Sequence, residues 1–139
     1  MVDINYEETD DLELSVDKVG YWIEEICSNE GKKVGDLSLV FCSDNYLLEI
    51  NQQHLNHDFF TDIVTFDYCV DDLISGDLFI SVDRVFENSA VYDVSFLHEL
   101  HRVIIHGVLH LCGYKDKSEG DEVIMRMKED EALELISFT

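Results

Sequence analysis

His106 and His110 stand four residues apart on an apolar run, inside the stretch HGVLHLCGYKD that closes with Asp116. On an α-helix, residues i and i+4 share nearly one face and lie about 6 Å apart along the axis, so both rings can aim a nitrogen at one ion. This is the geometry of HExxH zinc sites. Here the residue after the first histidine is Gly107. The glutamate that serves such proteases as general base is missing, and a third ligand must come from beyond the helix. Gly113 can stop the helix and turn the chain back, which brings Asp116 within reach, and a carboxylate is an accepted zinc ligand. The spacing alone decides nothing, because HxxxH is common and suits two histidines satisfied in a core or on a surface equally well.

The elements that must carry these residues follow from periodicity and caps. The histidines fall on a long helix over 96–112, capped by Ser95 and ended by Gly113. Ahead of it, the pattern predicts a short strand over 1–6 and a helix over 15–29 capped by Ser15. A strand over 35–42 follows, then a helix begun by Ser43 or Asp44. DIVTFDY (62–68) and DLFISV (77–82) predict two more strands, paired as an antiparallel hairpin, with DDLISG as the turn or loop between them. A helix over 83–92 precedes the histidine helix, and an acidic helix over 118–136 ends the chain. The expected fold is one α+β domain over 1–139. It has a mixed sheet of about four strands packed with about five helices, and the metal site sits on the long central helix.

Composition narrows the function classes. Nine Lys and Arg against 31 Asp and Glu give a net charge of −22, a surface that repels phosphate backbones and anionic lipids at long range. The few cations are unevenly placed, with Arg102, Lys115 and Lys117 falling near the histidine motif. No apolar run approaches the length of a membrane span, and the acidic N-terminus does not resemble a secretion signal. The expected location is therefore cytoplasmic. Cys27, Cys42, Cys69 and Cys112 form no CxxC pair and are expected to be free, mostly buried thiols. Cys112, two residues past His110, faces roughly 160° away from it on a helix and is expected in the core.

HGVLHLCGYKD resembles the H-G-x-L-H-L-x-G-Y-D-H motif of the YbeY family, metal-dependent endoribonucleases that mature ribosomal RNA. The resemblance extends along the chain. TDIVTFDY is similar to that family's T-D-V-L-S-F segment, Asn51 fits its L-N element, and GDLFIS is similar to its G-D-I-x-I strand. Glu99 stands at the acidic position before the motif helix. The chain also departs from the pattern, with Lys115-Asp116 where the motif ends in Asp-His. Asp116 replaces the last histidine, Leu55 replaces an arginine thought to bind phosphate, and Phe60 replaces the proline that commonly precedes T-D.

The resemblance implies a single-strand-specific, metal-dependent endoribonuclease acting in 16S rRNA 3′-end maturation and ribosome quality control. One zinc ion would be held by His106, His110 and Asp116. Glu99 is the first candidate for general base and Asp62 the second. His101 is a candidate for lining the cleft or backing a ligand. Arg102, Lys115 and His57 are the candidates for phosphate contact, His57 as a weaker, pH-dependent substitute for the arginine absent at position 55. Implied partners are single-stranded RNA and the ribosome, with a ribosomal protein or a GTPase as protein partner and no membrane. A rival class is a non-catalytic ribosome-assembly or RNA-binding factor with a structural metal, which suits the net charge of −22 and the departures at 55 and 116. A zinc hydrolase of peptides or small molecules is the third, weakened by Gly107.

Overall fold

The computed structural model describes residues 1–55 and 60–136. Four strands and five helices alternate in the order β1 (Val2–Glu7), α1 (Val16–Asn29), β2 (Lys33–Cys42), α2 (Asp44–Leu55), β3 (Ile63–Asp67), β4 (Leu73–Ser81), α3 (Val82–Val91), α4 (Phe96–Leu111) and α5 (Glu119–Leu133). The sheet order is β1-β2-β4-β3. β1, β2 and β4 run parallel, with Ile4 opposite Leu39 and Leu39 opposite Leu78. β3 closes one edge antiparallel to β4, with Ile63 opposite Ile80 and Phe66 opposite Asp77. The result is the α+β arrangement expected from the pattern, with a mixed sheet and a hairpin at its edge.

Strand alternation sorts side chains to two faces. Leu37, Leu39 and Phe41 of β2 and Ile74, Leu78 and Ile80 of β4 turn to one face. There they meet Ile23 and Cys27 of α1 and Leu100, Ile104 and Val108 of α4 in the main core. The opposite face carries a smaller cluster, in which Cys42 and Val64 pack with Leu47 of α2 and with Phe66 and Phe79. Serine hydroxyls cap the helices as the sequence suggests. Ser15 accepts from the Lys18 amide, Ser43 from Tyr46 and Ser95 from His98, each satisfying an amide the first turn leaves open.

The expected loop DDLISG is shorter than the sequence suggests. β4 begins at Leu73, because Leu73 and Ile74 continue the pairing with Lys33 and Val34 of β2. The reversal is confined to a tight turn closed by Val70 and Leu73, with Asp71 at φ +52°. All four cysteines are free, Cys27 and Cys42 buried and Cys69 and Cys112 half-buried, with Cys112 packed against the main core.

α5 packs along α4, and the Trp22 indole of α1 secures its far end by donating Nε1–H to the Ala132 carbonyl at 2.8 Å. No helix among the described residues is long and apolar enough to cross a membrane.

Candidate metal centre

α4 ends in a Schellman motif. The Tyr114 amide reaches back to the Leu109 carbonyl and the Gly113 amide to His110, both at 3.0 Å, with Gly113 at φ +108° in the left-handed region. This turn carries the chain back across the end of its own helix and delivers Asp116 to the two histidines. Gly107 has a separate reason to be glycine. A Cβ there would stand 2.8 Å from Ile63 Cδ1 and 3.1 Å from Leu78 Cδ1. α4 therefore lies directly on β3 and β4, and no room exists for the glutamate of an HExxH motif.

Three acceptor atoms converge at the end of α4. His106 Nε2 and His110 Nε2 are 3.0 Å apart, His110 Nε2 and Asp116 Oδ2 3.2 Å, and His106 Nε2 and Asp116 Oδ2 3.5 Å. A tetrahedral ion with bonds of about 2.0–2.1 Å spaces its ligand atoms about 3.3–3.4 Å apart, so the triangle has the right size for one cation. Among the described residues this is the one group of three or more such side chains that could hold a metal. The outward nitrogens support the same conclusion. His110 Nδ1 faces the Tyr114 carbonyl at 2.9 Å and His106 Nδ1 faces Glu129 Oε2 at 2.7 Å. Both partners accept, an arrangement that suits a ring proton on each Nδ1 and leaves Nε2 as the atom offered to an ion.

Behind His106, Glu129 of α5 is 4% exposed. Its Oε1 accepts from Arg102 Nη1 at 2.8 Å, and Arg102 Nη2 also donates to Asp130 at 2.6 Å. Burial works against the Glu129 charge, but the bonds from His106 and Arg102 outweigh it and hold the carboxyl below the usual glutamate range. Burial likewise opposes a charge on His106, and Glu129, Asp116 and Asp62 outweigh it and raise the imidazole's pKa.

An open cleft of about 1100 Å³ runs from this cluster between α4, α5 and the end of α3. Asp62, Glu99, Arg102, His106, Asp116 and Glu129 all line it. Asp62, just before β3, sits near enough to His106 for their charges to interact, and burial raises its pKa. Glu99 is also on the cleft wall, 4% exposed, with its pKa raised by burial and by the Asp62 charge. It lies seven residues before His106, about 10 Å down the helix. Lys115 is exposed on the turn beside Asp116. His57 lies outside the described residues, as does the side chain of Leu55.

Two expectations need correction. His101 does not line the cleft: it is buried against Trp22, with Nδ1 on the Leu97 carbonyl at 2.7 Å. Arg102 reaches the cleft, but its guanidinium is committed to Glu129 and Asp130 rather than held out for a phosphate.

Comparison with known proteins bears on the same residues. The family model described as Endoribonuclease YbeY matches residues 3–137. The chain belongs to the YbeY family. A YbeY endoribonuclease from Flavobacterium psychrophilum is 50% identical over 135 residues, covering 97% of this chain and 96% of that protein. One from Porphyromonas gingivalis is 54% identical over 121 residues, covering 87% and 80%. A Thermotoga maritima protein solved in solution shares the fold with a TM-score of 0.69 at 27% identity, covering 95% of this chain and 87% of its own.

Within the YbeY pattern, the departure at position 116 leaves the triangle of acceptors complete, because the turn brings the shorter aspartate to both imidazoles. Sequence reasoning missed two members of the site. Glu129 had one available signal, its register with Met125, Ala132 and Leu133 on the buried face of α5. The Tyr114 carbonyl had none, since a backbone acceptor leaves no mark on residue type.

Proposed function

We propose that this chain is a zinc-dependent endoribonuclease cleaving single-stranded RNA, acting in the cytoplasm in maturation of the 16S rRNA 3′ end and in ribosome quality control. The observation that carries the metal assignment is the triangle of three ligand-type atoms, His106 Nε2, His110 Nε2 and Asp116 Oδ2, at 3.0–3.5 Å on the edge of a cleft. Membership of the YbeY family supports the activity. His106, His110 and Asp116 are the ligands in this scheme. Zinc, when bound, would supply Lewis-acid polarisation of a phosphate and a water acidified toward neutral pH.

The chain's own residues supply the rest. Asp62 lines the cleft with His106, near enough for their charges to interact, and its raised pKa suits it to accept a proton from an attacking water. Glu99, 4% exposed on the cleft wall, is the first candidate for that role by sequence, and Asp62 the second. Phosphate contact falls to Lys115, on the turn beside the cluster, and to His57.

The alternative is a ribosome-assembly factor that binds RNA or protein around a structural metal. One observation favours it: nine carboxylates line the cleft against Arg102 and Arg126, so the field there opposes a polyanion. A basic ribosomal protein or a GTPase would be the partner in that case. The deciding experiment incubates the purified protein with single-stranded RNA, with and without chelator, beside a His110→Ala variant checked for folding. The nuclease requires cleavage that chelator abolishes and that the variant lacks. Full cleavage by His110→Ala would rule out the metal mechanism, and no cleavage by the zinc-loaded protein would favour the assembly factor.

A further inference from the structure

α5 docks on α4 through a narrow buried face. Its buried residues are Met125, Glu129, Ala132 and Leu133, while Val123, Ile124 and Met127 are exposed. One of the four buried contacts is therefore a carboxylate, and a buried carboxylate costs several kcal/mol unless its oxygens are paired. Both oxygens of Glu129 are paired, and both main partners belong to α4: Oε1 with Arg102 and Oε2 with His106 Nδ1. Full pairing of the one carboxylate in the α4–α5 contact thus depends on His106 presenting an N–H on Nδ1.

That requirement is shared with the metal cluster. A neutral imidazole carries one proton, and with that proton on Nδ1 the Nε2 lone pair is free. His106 Nε2 is the atom aimed at His110 and Asp116. An ion at Nε2 and a carboxylate at Nδ1 select the same tautomer and the same ring orientation. The opposite tautomer would set a bare nitrogen against Glu129 and present Nε2–H to Asp116. A cation at the cluster removes that alternative.

We propose that Glu129, braced by Arg102, is a positioning residue of the metal site, and that metal loading and the docking of α5 onto α4 are reciprocally coupled. Each strengthens the other by the same factor, as linkage requires. Because α5 forms one wall of the cleft, metal loading also steadies that wall. This inference rests on the metal assignment made above.

Hydrogen exchange on the full-length protein, stripped by chelator or loaded with zinc chloride, tests it. Zinc is expected to slow exchange of the 119–133 amides by about tenfold or more, while the amides of α1 and β2 change less. Glu129→Gln keeps the side chain's size but removes its charge. It is expected to weaken zinc binding roughly 10–100-fold, to abolish the extra protection of α5 and to lose the slowly exchanging His106 Nδ1–H signal in nitrogen-15 NMR spectra. Arg102→Met is expected to weaken zinc binding in the same direction, although Arg102 touches no ligand atom. Equal exchange of α5 with and without bound zinc overturns the coupling and needs no variant to fold. Wild-type zinc affinity in Glu129→Gln overturns the positioning role. Failure of the wild-type protein to bind zinc overturns the metal assignment itself, a separate outcome.

Discussion

His110 donates its Nδ1–H to the backbone carbonyl of Tyr114, 2.9 Å away and beyond the end of its own helix. The orientation of this ring is thereby tied to the turn at Gly113, whose φ of +108° suits only glycine. Gly113→Ala is expected to lower stability by about 1–2 kcal/mol and to weaken zinc binding as the carbonyl shifts. Thermal denaturation and a zinc titration check both effects. Wild-type zinc affinity in a destabilised Gly113→Ala would show that the carbonyl does not set the ring.

Asp116 completes the triangle of acceptors, and its charge is what an amide lacks. Asp116→Asn should retain well below one zinc per chain after dialysis, with folding intact. Asp116→His restores the residue that the YbeY pattern has at this position and should retain one ion. Elemental analysis of the two variants side by side reads the result, and full occupancy in Asp116→Asn would remove the aspartate from the ligand set.

The pH dependence of stability should carry the mark of Glu99. Burial raises its pKa in the folded protein above that of the unfolded chain. Below about pH 4.3, the value for an unperturbed glutamate, both states hold the proton and the group costs nothing. As pH rises through the folded pKa, the cost of ionising a buried carboxyl appears and stability is lost. Glu99→Gln should therefore be more stable than wild type at pH 8, and the difference should vanish at pH 4. Denaturant titrations at the two values check the sign, and a variant less stable at pH 8 would contradict it.

Gly107→Glu recreates the HExxH sequence and should fail. The new side chain would enter the contact between α4, Ile63 and Leu78 and strand a charge there. A loss of about 3 kcal/mol or more is expected, read as a fall in melting temperature or as insoluble protein. A stable, well-folded Gly107→Glu would mean that α4 is free to lift from the sheet.

Salt should act in an unusual direction. Basic nucleases lose affinity steeply as salt rises because they release counterions from the nucleic acid. Here the cleft wall is acidic, so added salt screens repulsion. The value of kcat/KM on a short single-stranded RNA should stay level or rise between about 50 and 200 mM monovalent salt. A steep fall would point to a cationic track on the protein that engages the RNA backbone.

The strands, helices and caps were legible because each rests on local rules: alternation in β2, Ser95 before α4, Gly113 after it. His106, His110 and Asp116 were legible for the same reason, since one helix and one turn place all three. Glu129 was not, because its bond to His106 joins residues 23 positions apart through the docking of two helices. In the sequence Arg102 is a candidate for phosphate contact, and only that docking reveals its carboxylate partners. The place of His101 is not legible because the α4 face that packs on Trp22 cannot be told from a cleft-facing one without knowing where α1 lies. The start of β4 was misjudged because pairing with β2 extends the strand through a segment whose composition resembles a turn.

The hydrogen bond from Trp22 to Ala132 has a practical consequence. Trp22 is the chain's single tryptophan, 3% exposed, and its indole nitrogen is bonded to the last turn of α5. Any movement that frees this end of α5 exchanges a carbonyl partner for water at the one indole that dominates the protein's ultraviolet emission. The molecule thus carries its own optical gauge, in which a red shift on chelation and its reversal on adding zinc would follow the state of the distant cluster without a label.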